Sequence, residues 1–260
     1  MKNNLFHTIS KNIQENRTFA LVTVISVSGS TPSKPGFRMV VYSDSTSEGT
    51  VGGGQLENIS IKRSVEMLEQ KKKSELNTYK LDQDLNMACG GKIDVLFETF
   101  DKPTLHLIGA GHVAQAIAPL ALNCDFAVKI YDDRKDYLEL AELPVSVDKY
   151  AGKITEIIND IPSDMGDYFV VLTYDHKLDR QAVHSLMQKP KFSYLGVIGS
   201  KNKAVKIKIY LKNQGIEQSK IEKLRTPVGL PIGAETPAEI AVSIVGDLIA
   251  CRAGKTLPTW

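Results

Sequence analysis

The chain has 260 residues, 42% of them hydrophobic, and its 32 basic and 30 acidic side chains leave a formal net charge of +2. That length allows one large domain or two ordinary ones with a proper core, and the near balance of charge argues against a nucleic-acid partner. No apolar run approaches the roughly 20 residues of a membrane span, and Met1-Lys2-Asn3-Asn4-Leu5 leads into no signal-peptide core, so a soluble protein in the cytoplasm, away from any membrane, is expected.

In chain order, Phe19 to Val27 is rich in β-branched residues and breaks at Ser28 to Gly36, which reads as a strand running into an irregular loop. Arg38 to Tyr42 reads as a returning strand. Gln55 to Gln70 places Leu56, Ile59, Val65 and Leu68 on one helical face, so the triglycine Gly52-Gly53-Gly54 precedes a helix N-terminus. Strands over Glu75 to Leu81 and Ile93 to Phe100 enclose a loop, Met87-Ala88-Cys89-Gly90-Gly91. Residues 1–100 therefore read as a small α+β unit.

Asp101-Lys102-Pro103 is a polar junction, after which residues 104–260 alternate strand and helix. Strands are predicted at 105–108, 126–131, 168–172 and 194–198, and helices at 113–122, 154–159, 179–188 and 201–214. Such alternation predicts a doubly wound parallel sheet. The chain closes with a proline- and glycine-bearing loop and a helix over 237–252, capped by Thr236 with Pro237 near its first position.

Gly109-Ala110-Gly111-His112-Val113-Ala114 is a G-x-G-x-x-A turn between a strand and a helix. Gly109 allows the tight bend, Gly111 lets backbone approach a pyrophosphate, and Ala114 permits close helix packing. Asp132 ends the next strand roughly 20 residues on, where an acid accepts from ribose hydroxyls. Arg134 beside it leaves room for a 2′-phosphate, so NAD and NADP stand equal. A nucleotide site that is vestigial, or filled by another nucleotide, is the alternative.

The triglycine is either an anion-binding nest or a hinge or bulge. Cys89 before Gly90-Gly91 is a candidate soft metal ligand or nucleophile, or else a small buried hydrophobe. The three cysteines, Cys89, Cys124 and Cys251, fit neither a disulfide framework nor a zinc site. After the strand 168–172, Asp175 and His176 lie where α/β proteins bind ligands, with His176 an acid, a base or a ligand, or else a loop or cap residue. Gly199-Ser200-Lys201 reads as a phosphate contact or a capped helix start.

Taken together these segments resemble the XdhC/CoxI family, the accessory proteins of molybdenum hydroxylases such as xanthine dehydrogenase. The resemblance rests on Gly29-Ser30-Thr31-Pro32, Pro35 to Met39, Gly49 to Glu57, Cys89-Gly90-Gly91, Gly109 to Val113, Asp132-Asp133-Arg134, Thr173 to Asp179, Leu195 to Lys201, Pro227 to Gly233 and Thr236 to Ala241. Many relatives carry histidine where this chain has Gln55 and Tyr174. The resemblance implies an N-terminal family-specific domain, a C-terminal Rossmann-like domain, and a role in binding the molybdenum cofactor and passing it to an apo-enzyme. Implied partners are the hydroxylase client, a cysteine desulfurase and a second copy of the chain. Gly52 to Gly54, Lys34, Arg38 and Cys89 then become candidate contacts to the molybdopterin, with Cys89 near the metal. The competing readings are an NAD(P)-dependent oxidoreductase using Gly109, Gly111, His112, Asp132 and Ser200 with His176 or Tyr174 handling protons, and a nucleotide sensor that binds without turnover.

Overall fold

A computed structural model describes residues 2–80, 91–140, 142–161, 163–164 and 166–255. The chain divides into two compact units, Met1–Lys102 and Pro103–Trp260.

The first unit holds α1 (Lys2–Gln14), β1 (Phe19–Ser28), β2 (Arg38–Tyr42), β3 (Ser47–Thr50), α2 (Gly54–Glu69), β4 (Ser74–Lys80) and β5 (Lys92–Phe100). The strands form one antiparallel sheet in the order β3-β2-β1-β5-β4. Period-two alternation sends Ala20, Val22, Met39 and Val41 to the face covered by Leu56 and Met67 of α2. Phe19, Val40 and Tyr42 turn to the other face, where Leu5 and Ile9 of α1 meet them. The sequence pattern misses α1 and β3. All four residues of β3 are exposed, and it is a strand because it pairs with β2, not because of a hydrophobic pattern.

The second unit holds β6 (Thr104–Ile108), α3 (His112–Asn123), β7 (Ala127–Asp132), α4 (Lys135–Leu140), β8 (Asp148–Ala151), α5 (Ile154–Asp160), β9 (Asp167–Val171), α6 (His176–Met187), β10 (Tyr194–Val197), α7 (Lys201–Asn213), α8 (Gln218–Glu222) and α9 (Pro237–Arg252). Its sheet is parallel throughout, in the order β10-β9-β6-β7-β8. The fold is the expected doubly wound Rossmann type, with β6 in the centre and the order reversing between β6 and β9. Ile117 and Ala121 of α3 and Ile244 and Leu248 of α9 pack on one face. Ile154 and Ile158 of α5, Val183 and Leu186 of α6, and Ile207 and Leu211 of α7 pack on the other. The last helix is thus part of this unit's own core. Exposed edge strand β8 and short helices α4 and α8 carry no periodic signal and are further elements the pattern misses.

Candidate functional site

At the carboxyl end of the central strand, Gly109 has φ 119° and donates its N–H to the Tyr131 carbonyl at 2.7 Å. A Cβ there would lie 2.4 Å from the Leu172 carbonyl oxygen, so the close approach of two chain segments demands glycine. Gly111 differs. It caps α3 at φ −64° and ψ 175°, a conformation open to any residue, and a Cβ on it would meet no atom within 4 Å. Nothing in the chain itself needs glycine there, whereas a ligand brought against the backbone would. No side chain caps α3, so its first N–H groups face outward with the positive end of the helix dipole. His112 is exposed at the same place and Ala114 is fully buried, as close helix packing requires.

Asp132, at the end of β7, has no exposed surface. Its carboxylate accepts from the Ala110 N–H at 2.7 Å, the Arg134 N–H at 2.9 Å, and Arg134 Nε and Nη2 at 2.9 and 2.8 Å. Burial by itself would raise its pKa, but the Arg134 side chain and the two backbone donors outweigh that and hold it below the usual carboxylate range. Arg134 is fixed in turn, with its guanidinium carbon 4.2 Å from the ring centre of Tyr137 and 4.3 Å from that of Tyr174. The Tyr174 hydroxyl donates to Asp133 at 2.8 Å, which raises the pKa of the phenol. A carboxylate offers about four lone-pair positions, and here four donors occupy them. The acid that sequence spacing assigned to ribose is already satisfied by the chain.

Across the switch point, the Asp175 carboxylate caps α6 by accepting from the Lys177 N–H at 2.9 Å. His176 is the first residue of α6, not a loop residue, and its side chain is 78% exposed. These two neighbours do not form a dyad. The histidine's nearest acid is Asp179, with Nδ1 3.9 Å from Oδ2. Asp179 is fully buried, accepts from the backbone N–H and hydroxyl of Thr173 at 3.1 and 2.7 Å, and is paired with Lys203. Sequence reasoning gave Lys203 no role. Its signal is Gly199, where a Cβ would lie 2.3 Å from Lys203 Cδ, so the lysine stem crosses over the glycine to reach Asp179. Ser200 caps α7 by accepting from the Lys203 N–H at 3.3 Å. Beside it opens a cavity of about 310 Å³, walled by Ile198, Ser200, Val228, Ala234 and Ile240.

The first unit carries the triglycine. Gly52 (φ 124°) cannot bear a side chain, since a Cβ would sit 2.1 Å from Ser33 Oγ, itself bonded to the Val51 carbonyl. Gly53 and Gly54 face open space. The turn is partly self-closed. The Gly52 N–H donates to Thr50 Oγ1 at 3.1 Å, and the Gly53 N–H and the Thr50 hydroxyl donate to Glu57 Oε1 at 3.0 and 2.5 Å. An anion at Gly53 would have to displace this carboxylate. Lys34 is exposed on the loop after β1. Arg38 alternates with Val40 and Tyr42, its guanidinium over the Phe6 ring of α1 at 5.3 Å, on the sheet face opposite α2. It is not brought to the triglycine. Cys89 lies outside the described residues, and among those residues no group of three or more His, Cys, Asp or Glu side chains could hold a metal ion. None of the described helices is long and apolar enough to cross a membrane.

Two family descriptions match the chain, the XdhC Rossmann domain over residues 105–248 and the XdhC and CoxI family over residues 13–80. The chain belongs to the XdhC/CoxI family. Among its relatives, this XdhC-family chain is 30% identical over 257 residues to the uncharacterized protein YqeB of Escherichia coli, covering 96% of this chain and 46% of that protein. It is also 30% identical over 151 residues to a Bacillus subtilis protein described as a probable xanthine dehydrogenase subunit, covering 58% of this chain and 43% of that one. The chain therefore spans less than half the length of these curated relatives. A solved structure described as a xanthine dehydrogenase from Bacillus halodurans shares the fold, with 20% identity, a TM-score of 0.53, and 97% and 96% of the two chains covered.

Proposed function

We propose that this chain binds the molybdenum cofactor and assists its insertion into a molybdenum hydroxylase of the xanthine dehydrogenase kind. Family membership supports the reading, as does the description of the Bacillus subtilis relative as part of a probable xanthine dehydrogenase. The observation that carries it is the pairing of an open anion cradle with a sealed ribose acid. The α3 N-terminus has room at Gly111 for a phosphate against the backbone, while every lone pair of Asp132 is taken by Ala110 and Arg134. Such a site fits a phosphate-bearing ligand better than a nicotinamide dinucleotide bound through its ribose diol.

Molybdopterin carries one phosphate, a polar pterin and a dithiolene that holds the metal, and when bound it supplies the hydroxylase's redox centre. Gly111 and the first N–H groups of α3 would hold the phosphate. Ser200 would contact the polar ring at the edge of the neighbouring, largely apolar cavity. The triglycine is a second cradle, and occupancy there requires Glu57 to move aside. A cysteine desulfurase and a second copy of the chain belong to the same proposal as partners.

The test is to add molybdenum cofactor anaerobically to the purified chain and to measure molybdenum and pterin retained through gel filtration. Near-stoichiometric retention, lost in Gly111→Val or in Gly53→Val, supports the carrier and says which cradle serves it. No retention by the folded parent removes it. The Lys203–Asp179–Thr173 cluster favours a second reading, an NAD(P)-dependent oxidoreductase with a buried proton-handling set, and hydride transfer from NAD(P)H to an added acceptor would establish that one.

A further inference from the structure

A second cavity, of about 490 Å³, opens along the edge strand β10, two strands away from the G-x-G-x-x-A turn that follows β6. Lys208 of α7, Lys223 at the end of α8 and Arg225 of the following segment line it. Tertiary folding brings Lys208 to the neighbouring pair Lys223 and Arg225. Among the described residues none of the three has an ion-pair partner. The acid in the wall, Glu222, accepts instead from Gln218 Nε2 at 3.1 Å. Three cations and one acid thus line the cavity, and the buried Asp247 lies beneath its floor, hydrogen-bonded to Tyr194.

Arg225 is also pre-positioned. Its N–H donates to the Leu195 carbonyl at 3.0 Å and its carbonyl accepts from the Val197 N–H at 2.9 Å, a one-residue parallel bridge to β10. A half-buried guanidinium on so rigid a base loses little freedom when it binds. Its charge reaches the cavity floor: burial and the buried Asp247 raise the pKa values of Tyr194 and Cys251, and Arg225 opposes that rise in both. Tyr194 already donates its hydroxyl to the buried Asp247 at 2.6 Å, and the half-buried Cys251 thiol lies 3.5 Å from the Ser193 carbonyl. Phe192, Leu195, Leu224 and Pro227 give the remaining wall apolar surface.

We infer that this cavity is a binding site for a small organic phosphate monoester, its phosphate held by Arg225, Lys208 and Lys223 and its organic part against Phe192 and Leu224. A phosphate dianion complements three cations that have no ion-pair partner among the described residues, and its three terminal oxygens match one planar fork and two point cations. This site is independent of the cofactor reading, because it shares no residue with the Gly111 cradle.

Cys251 provides a local reporter. In the full chain with Cys89→Ser and Cys124→Ser, the rate of alkylation of Cys251 by iodoacetamide is followed against phenyl phosphate at constant ionic strength, which removes simple screening. The expected result is saturable protection. Arg225→Gln raises the half-protecting concentration about tenfold or more, equivalent to ~1.4 kcal/mol. Lys208→Gln, at an exposed helix position that does not threaten folding, raises it several-fold, while Gly111→Val leaves it unchanged. Absence of saturable protection in the folded parent, protection that survives both substitutions, or equal protection by a dicarboxylate such as succinate would overturn the assignment.

Discussion

Gly109 and Gly111 belong to one turn, yet the geometry separates their reasons for being glycine, and a pair of alanine substitutions measures the difference. Gly109→Ala forces a left-handed φ of 119° on an L-residue, which costs about 1–2 kcal/mol, and drives Cβ to 2.4 Å from a backbone carbonyl that cannot rotate away. The expected total is about 3 kcal/mol or more, seen as a drop in thermal midpoint of about 6 °C or more for a unit of this size. Gly111→Ala meets open space at an ordinary φ of −64°. It gains roughly 0.4–1 kcal/mol from a less flexible unfolded chain and loses a similar amount as a poorer helix cap, so stability should stay within about 0.5 kcal/mol of the parent. Its Cβ does intrude where an anion would approach α3, so retention of the molybdenum cofactor should fall about tenfold or more, equivalent to ~1.4 kcal/mol. Differential scanning fluorimetry and cofactor retention read the two effects separately. If Gly111→Ala destabilises as much as Gly109→Ala, or leaves retention of a cofactor that the parent binds untouched, Gly111 does not serve a ligand.

Lys203→Met strands the buried Asp179 carboxylate and should cost about 3 kcal/mol in chemical denaturation, much of it recovered when Asp179→Asn is added; equal losses in single and double variants would contradict the pairing. His106, stacked on Phe169 and held between Tyr131 and Asp167 at 3.0 Å each, has its pKa lowered chiefly by burial, with Asp167 opposing. The unfolded chain therefore takes up a proton near pH 6.5 that the folded state refuses, so stability is full above that pH and declines below it, by at most ~1.4 kcal/mol per pH unit. His106→Phe should be less stable at neutral pH yet lose this part of the acid slope in denaturation midpoints taken from pH 7.5 to 5. Thr236→Ala breaks the capping box in which Thr236 Oγ1 accepts from the Glu239 N–H and Glu239 accepts from the Thr236 N–H, at 3.3 and 2.9 Å. It should cost about 1 kcal/mol, and a change under a few tenths would show that core packing alone holds α9 in place.

Much of the architecture was legible in the residues. Buried parallel strands such as Asp167–Val171 are apolar over nearly their whole length, and Val113, Ile117 and Leu120 follow the helical period, so β6, α3, β7, α5, β9, α6, β10 and α7 could be placed within a few residues. Thr236-Pro237 with Glu239 marks the start of α9 by local chemistry. Edge strands β3 and β8 left no such mark. Their side chains are exposed on both faces, and only the ladder beside them makes them strands.

The sequence by itself determined the doubly wound order of elements, the family, and the presence of a glycine turn between strand and helix, because each is written in local periodicity and short motifs. Only the tertiary structure decided which groups remain available. Asp132 looks free in the chain but is consumed by Arg134, Asp175 looks catalytic but caps a helix, and Arg38 lies on the sheet face opposite the triglycine's helix. Lys208, Lys223 and Arg225, unremarkable in sequence, converge on one cavity. The physical reason is that a polar group's role depends on which partners reach its lone pairs and charges in three dimensions, and spacing along the chain does not encode those partners.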